Sequence, residues 1–296
     1  MRRPCTTWST AGVSRDGRRQ PGSCVFSGSP RTVSRRPGPA RPRDGEDVTA
    51  GGRAEHGARG PHRSRRAAGE WRAGARPDAV LHEEAESIAD LAGRLGLWVA
   101  FGSIHPLTPP NRPHNSLYVL SDQGRLVTRY DKRFLSNTEV SFLYAPGSSP
   151  VVFEIDGIRF GCALCIEAEF PEAFAEYERL DVDCVLLSVM VDDATRAVVA
   201  QAYGRLYGYW LGYSVPAQFS ATVPSGVVAP GGRWLARCPA DGRPALAVAD
   251  LDLDATDADI DVSVRLARPW RRLARAGLYD DHLVPEDPRS GTRTAF

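Results

Sequence analysis

Hydrophobic spacing changes character at Pro77. Upstream, neither a two-residue nor a 3.6-residue period persists over a useful window, which argues against packed elements there. Downstream, Val80, Ala85, Ile88, Ala89, Leu91, Ala92 and Leu95 recur at helical spacing. Glu83, Glu84 and Glu86 occupy the first turns and Gly96 ends the pattern. Leu97 to Gly102 reads as a short buried strand. A polar, proline-rich loop from His105 to His114 separates it from strands over Ser116 to Leu120 and Leu126 to Tyr130, which flank an Asp122-Gln123-Gly124 turn.

Val151, Phe153 and Ile155 alternate with their neighbours, Asp156-Gly157 supplies a two-residue turn, and Ile158 to Leu164 returns as a second strand. Cys165 stands where that apolar run stops. Phe170-Pro171-Glu172 then opens a helix carrying Phe174 and Tyr177, with proline at a position that tolerates a missing N–H. Val182 to Val189 is apolar enough for a strand buried on both faces, with Cys184 in its core, and Met190 to Asp193 leaves its end as a loop. The spacing predicts one long aromatic-rich helix over Thr195 to Leu211 and a last clear strand over Ala245 to Leu253. Beyond Arg268 the chain is basic and then polar, a tail that either wraps a partner subunit or frays.

Composition alters this picture mainly at the N-terminus. Residues 1–76 hold 17 arginines against six acids (Asp16, Asp44, Glu46, Asp47, Glu55 and Glu70), so the overall charge of +1 hides a basic segment and an acidic remainder. Arginine, glycine, proline, serine and alanine dominate there, a mixture that cannot bury enough apolar surface to pack. Three readings remain open. A disordered basic tail for nucleic acid lacks aromatic interleaving and any zinc or RNA-binding motif. A transit peptide would be shorter and amphipathic. Plain disorder, or translation of upstream DNA in the wrong frame, is favoured over both, which argues against nucleic acid as a partner. No apolar run approaches a membrane span. Cys5, Cys24, Cys162, Cys165, Cys184 and Cys238 show no disulfide-framework spacing, pointing to reduced thiols in a cytoplasmic compartment.

Candidate chemistry centres on Cys165 and Lys132. A thiol at the end of a buried strand is held by the scaffold, and the next backbone N–H can face a developing oxyanion. A small inert core residue is the competing reading of any free cysteine. Lys132, within Tyr130-Asp131-Lys132-Arg133, is the only lysine; the other 36 basic residues are arginines. A compact ammonium is chemically distinct from a guanidinium, although a surface lysine that escaped the arginine bias fits equally well. Cys162-x-x-Cys165 also has the spacing of a redox dithiol or half a zinc site. The two cysteines lie within a predicted strand, however, and no second cysteine or histidine pair accompanies them.

The pattern Gly161-x-x-x-Cys165-x-Glu167-x-x-Phe170-Pro171-Glu172 resembles the nucleophile segment of the carbon–nitrogen hydrolases, the nitrilase and amidase superfamily. Arg129 to Glu139 resembles that family's lysine segment, and Ser225-Gly226 through Pro230, followed by the Ala245 to Leu253 strand, resembles its C-terminal half. The resemblance spans about residues 81 to 270 and implies a four-layer αββα sandwich of the α/β (α+β) class. It divides the chain into a basic segment over 1–77, a hydrolase domain over 78–270 and a tail over 271–296. It further implies that Cys165 is the nucleophile, that Lys132 and the Ile166 N–H hold the oxyanion, and that Glu139 holds the lysine and the substrate, with Glu167 at the oxyanion or substrate. Metal and organic cofactors are not required, the substrate is a small amide, N-carbamoyl compound or nitrile, and subunits pair as a homo-oligomer.

One departure stands out. The family's first glutamate ends an apolar strand upstream of the first helix, and no such strand precedes Val80. Glu46, Glu55 and Glu70 are the nearby carboxylates, none follows a strand-like run, and the general-base role is transferred to no residue. A catalytically impaired member of the fold, kept for binding or assembly, is therefore the alternative function. His105, His114, Asp192, Asp193 and Gln218 are unranked candidates for lining the pocket.

Overall fold

The computed structural model describes the backbone of two strands, β1 (Thr6–Thr10) and β2 (Gly22–Pro30), and the chain over residues 77–291. Apart from those strands and Pro77, the segment expected to be disordered or artefactual falls outside the described residues. β1 and β2 pair antiparallel, and β2 in turn pairs with β12 (Leu246–Leu251).

α1 (Pro77–Leu95) is amphipathic as its spacing requires. Ala92 is buried, with Ala85, Ile88 and Ala89 packed beside Val99, Phe101 and Leu120 on the strands below, while Leu91 and Leu95 face outward. Those strands are β3 (Val99–His105), β4 (His114–Leu120) and β5 (Leu126–Asp131), an antiparallel meander. Its other face meets a six-stranded sheet that runs from the strand Trp234–Arg237 at one edge to the strand Val152–Ile155 at the other. β6 (Val152–Ile155) and β7 (Ile158–Leu164) form the hairpin read from Asp156-Gly157.

β7, β8 (Cys184–Ser188) and β9 (Trp210–Ser214) run parallel. Parallel neighbours need crossovers, supplied here by α2 (Pro171–Arg179) and α3 (Thr195–Tyr207). β10 (Gly226–Val228) and β11 (Trp234–Arg237) complete the sheet. One core lies between the sheets, where Leu117, Val119 and Tyr130 meet Phe160, Leu186 and Trp210. A second lies beneath α2 and α3, where Phe174 and Tyr177 cover Val185, Leu187 and Leu211. The order is helix, sheet, sheet, helix, the four layers expected.

Two expectations about the second half need correction. The helix predicted over Thr195 to Leu211 stops at Tyr207, because Gly208 takes φ +69° and its N–H closes on Gly204 O at 3.0 Å. Trp210 and Leu211 then point to opposite faces of β9, one between the sheets and the other under the helices. The stretch after Arg268, expected as a tail, begins as α5 (Arg268–Arg275), which follows a short α4 (Ala258–Ile260) and docks through charge. Arg268 binds Asp183 Oδ1 at 3.0 Å and Val182 O at 3.1 Å, and Arg271 and Arg275 converge on Glu178. Among the described residues no helix is long and apolar enough to cross a membrane.

Candidate active site

β7 delivers Cys165 to the end of the parallel strands. The residue adopts φ +53°, a left-handed conformation that costs a side-chain-bearing residue steric energy and marks a sharp elbow. A 3-10 turn, Cys165–Glu169, follows and leads into α2. Cys165 and Ile166 are half-buried there. Gly161, four residues before Cys165, has no room for a Cβ: the Tyr177 ring would lie 2.7 Å from it, and Tyr177 Oη donates to Cys162 O at 2.6 Å. This close approach seats α2 on β7.

β5 delivers the lysine. Tyr130 points into the inter-sheet core, and Lys132, just past the strand, has a side chain only 1% exposed. Its backbone is held on both sides, by Lys132 N–H to Asn115 O at 2.9 Å and by Gly147 N–H to Lys132 O at 2.8 Å. Nζ donates to both carboxylate oxygens of Glu139 at 2.7 Å. Glu139 opens the turn Glu139–Leu143 and also accepts from Ser136 N–H at 2.8 Å and Asn115 Nδ2 at 3.3 Å. Burial alone would raise the Glu139 carboxyl, but the bonds from Lys132 and Ser136 outweigh it and hold the group below the ordinary carboxylate range.

Glu167, expected at the oxyanion or substrate, has both carboxylate oxygens engaged by protein donors. Its side chain is fully buried. Oε1 accepts from Arg133 N–H at 2.8 Å, Phe134 N–H at 3.0 Å and Tyr130 Oη at 2.7 Å, while Oε2 accepts from Leu164 N–H at 2.7 Å. Burial pushes its carboxyl up against the pull of these donors. One carboxylate thus joins the residue after Lys132 to the residue before Cys165. Asn115, which sequence reasoning missed, holds the lysine backbone and Glu139 together. Its sole sequence signal is a polar residue at the mouth of an apolar strand.

The remaining candidates are scattered. His105 faces Tyr118 and Arg129, and His114 Nδ1 lies 2.9 Å from Ala145 O. Asp193 Oδ1 accepts from the N–H and Oγ1 of Thr195 at the start of α3 and its carboxylate pairs with Arg196, whereas Asp192 and Gln218 are exposed. Cys162 packs between the sheets and Cys165 packs on the helix side, so the Cys-x-x-Cys pair lies on opposite faces and cannot act as a dithiol or share a metal. Burial drives the Cys162 thiol up to about 12, which keeps it protonated and inert. Among the described residues no group of three or more histidine, cysteine, aspartate or glutamate side chains is arranged to hold a metal ion. Glu46, Glu55 and Glu70 lie outside the described residues.

The profile of carbon-nitrogen hydrolases matches residues 57–260, well over half of the chain. The chain belongs to the carbon-nitrogen hydrolase family. It is an enzyme of the amidase and nitrilase type, and the matched span begins upstream of residue 78, where the sequence pattern sets the domain boundary. Solved structures with this fold include two forms of an amidase from Nesterenkonia sp. AN1. One is a glutamate-to-glutamine mutant showing the result of Michael addition of acrylamide at the active site cysteine; it is 22% identical, with a TM-score of 0.53 over 64% of this chain and 76% of that one. Another is a cysteine-to-alanine mutant in complex with butyramide, 21% identical, with a TM-score of 0.53 over 64% of this chain and 74% of that one.

Proposed function

We propose that this carbon-nitrogen hydrolase cleaves a small amide through a thioester on Cys165. The supporting observation is the buried Lys132–Glu139 pair, bound through Glu167 to the left-handed elbow that carries the thiol. The Cys165 sulfur attacks the amide carbon as the C=O π pair moves onto oxygen. Lys132 Nζ and the Ile166 N–H hold that oxyanion. Collapse of the tetrahedral adduct breaks the C–N bond, the nitrogen leaves as ammonia or an amine carrying the proton that the thiol gave up, and water then hydrolyses the thioester to the acid. The butyramide complex of the Nesterenkonia amidase favours a short aliphatic acyl group. N-carbamoyl compounds and nitriles are the competing classes.

Neither described carboxylate at the site is free to take the thiol proton, because Glu139 is held by Lys132 and Glu167 by its four donors. A positioned base is worth about 10²–10⁴-fold in turnover, and none stands among the described residues. The same observation favours a second reading, an impaired member of the fold acting in binding or assembly. Self-association belongs to the proposal, supported by Val198, Leu206, Leu266, Trp270 and Leu273, apolar side chains exposed on α3 and near α5. So does a cytoplasmic location, supported by free Cys162, Cys165, Cys184 and Cys238.

Ammonia release from a panel of short amides, N-carbamoyl amino acids and nitriles tests the reading. Release from an amide that disappears in Cys165→Ser is the expected result. No release from any amide leaves the binding reading in its place.

A further inference from the structure

We propose that Glu167 is a positioning residue whose buried carboxylate fixes the turn bearing Cys165 against the segment bearing Lys132. The inference deepens the amidase reading above and rests on it.

A carboxylate three residues into a helical turn commonly caps that turn, and the bond from Leu164 N–H to Oε2 is such a cap. Oε1 does something a cap does not. It receives the N–H groups of Arg133 and Phe134, 34 and 33 residues away in sequence. Tyr130 Oη, from the same lysine-bearing strand, reaches both oxygens at 2.7 and 2.8 Å. Burial and the neighbouring Glu167 carboxylate push the Tyr130 phenol up, so it remains a donor. Tyr130 and Leu164 are buried and Arg133 and Phe134 half-buried, and leaving a buried donor unpaired is costly. The strand carrying the lysine and the strand carrying the nucleophile belong to different sheets. Among the described residues, this carboxylate spans them at the site together with side-chain packing and the Arg133–Glu176 pair, which ties the lysine segment to α2 at 2.6 Å.

The elbow makes the tether necessary. Cys165 sits at φ +53°, a conformation that persists only where its surroundings over-determine it. The Leu164–Glu167 bond closes the turn around that residue, and the Arg133 and Phe134 bonds set where the closed turn stands relative to Lys132. Glutamine in place of Glu167 has one acceptor and one donor, so its amide cannot satisfy both segments. Whichever way it turns, NH2 faces either the Leu164 N–H or the pair from Arg133 and Phe134.

The test compares kcat, KM and the rate of Cys165 alkylation by iodoacetamide, located by mass spectrometry, in the full chain. Alkylation reads how the elbow presents the thiol, because its rate depends on the thiol's exposure and surroundings. Glu167→Gln is expected to lower kcat about 10–100-fold, the scale of a displacement near 1 Å, with KM within about threefold and alkylation about tenfold slower. Arg268→Met, a remote change expected to lower the melting temperature comparably, is expected to leave kcat and alkylation unchanged. Glu167→Asp, which keeps the charge but shortens the reach, should show the same fall and serves if the glutamine variant does not fold. Unchanged kcat and alkylation in the Glu167 variants, or falls matched by Arg268→Met, would overturn the proposal. If the parent chain hydrolyses no amide, the amidase reading fails and alkylation alone decides: a selective tenfold fall still upholds the tether.

Discussion

Lys132→Met replaces the buried ammonium with a neutral side chain of similar length and leaves Glu139 without its counter-charge. Breaking one side of a buried pair costs about 3–5 kcal/mol. Glu139 keeps Ser136 N–H and is 16% exposed, so the lower end, about 3 kcal/mol, applies. In a domain of this size that loss corresponds to about 6–12 °C in melting temperature. Its pH dependence is the sharper signature. In the parent protein burial pushes Glu139 up, but Lys132 and Ser136 prevail and hold it below its unfolded value of about 4.3. The group then contributes stability that is full above that value and is lost as pH falls through the lowered folded value. With the ammonium gone, burial prevails, the folded value rises above the unfolded one, and the sign reverses. The variant gains stability as pH falls from about 7 toward about 4.5, while the parent does not. Urea midpoints of the two proteins at several pH values read this directly, and the gap between them should narrow on acidification. A gap that stays constant would show that Glu139 does not depend on Lys132 for its charge, and would refute the buried-pair account of the site.

Three further outcomes are expected. Cys165→Ser should abolish ammonia release while changing the unfolding free energy from urea titration by no more than about 0.5 kcal/mol, because the side chain is half-buried and similar in size. Gly161→Ala should destabilise the protein by about 1–3 kcal/mol in urea titration, since the new Cβ meets the Tyr177 ring carbons at 2.7 Å. Arg268→Met should cost about 3–5 kcal/mol by leaving Asp183 buried without its partner, and calorimetry should find the loss at neutral pH.

Local pattern carried much of this protein. Alternation around Asp156-Gly157 was enough to place the β6–β7 hairpin, because a two-residue turn sets its own register, and the end of its apolar run marked Cys165. Gly96 and the helical recurrence of Ala85, Ile88, Ala89 and Ala92 were enough to place α1. Lys132 could be singled out because it is the one ammonium among guanidinium groups, and Glu139 because it follows seven residues later in a family-like segment.

Local pattern failed where two periods coincide or where charge replaces apolar contact. Aromatic residues from Tyr203 to Trp210 satisfy helical spacing and strand preference alike, and only the parallel partners of β8 reveal that the chain turns over at Gly208. Arg268 to Arg275 reads as a polar tail because its docking face is guanidinium, which packs only where Asp183, Glu178 and Asp181 are already gathered. The amino-acid sequence by itself determined which groups could do chemistry: one thiol at a strand end, one ammonium and a carboxylate beside it. Tertiary structure alone decided that Cys162 and Cys165 face opposite sides of a sheet, and that Glu167 reaches across 34 residues to join two segments. The reason is physical. A repeat of two or 3.6 residues is written along the chain, whereas a hydrogen bond between different sheets depends on how the layers stack, which no short window of residues contains.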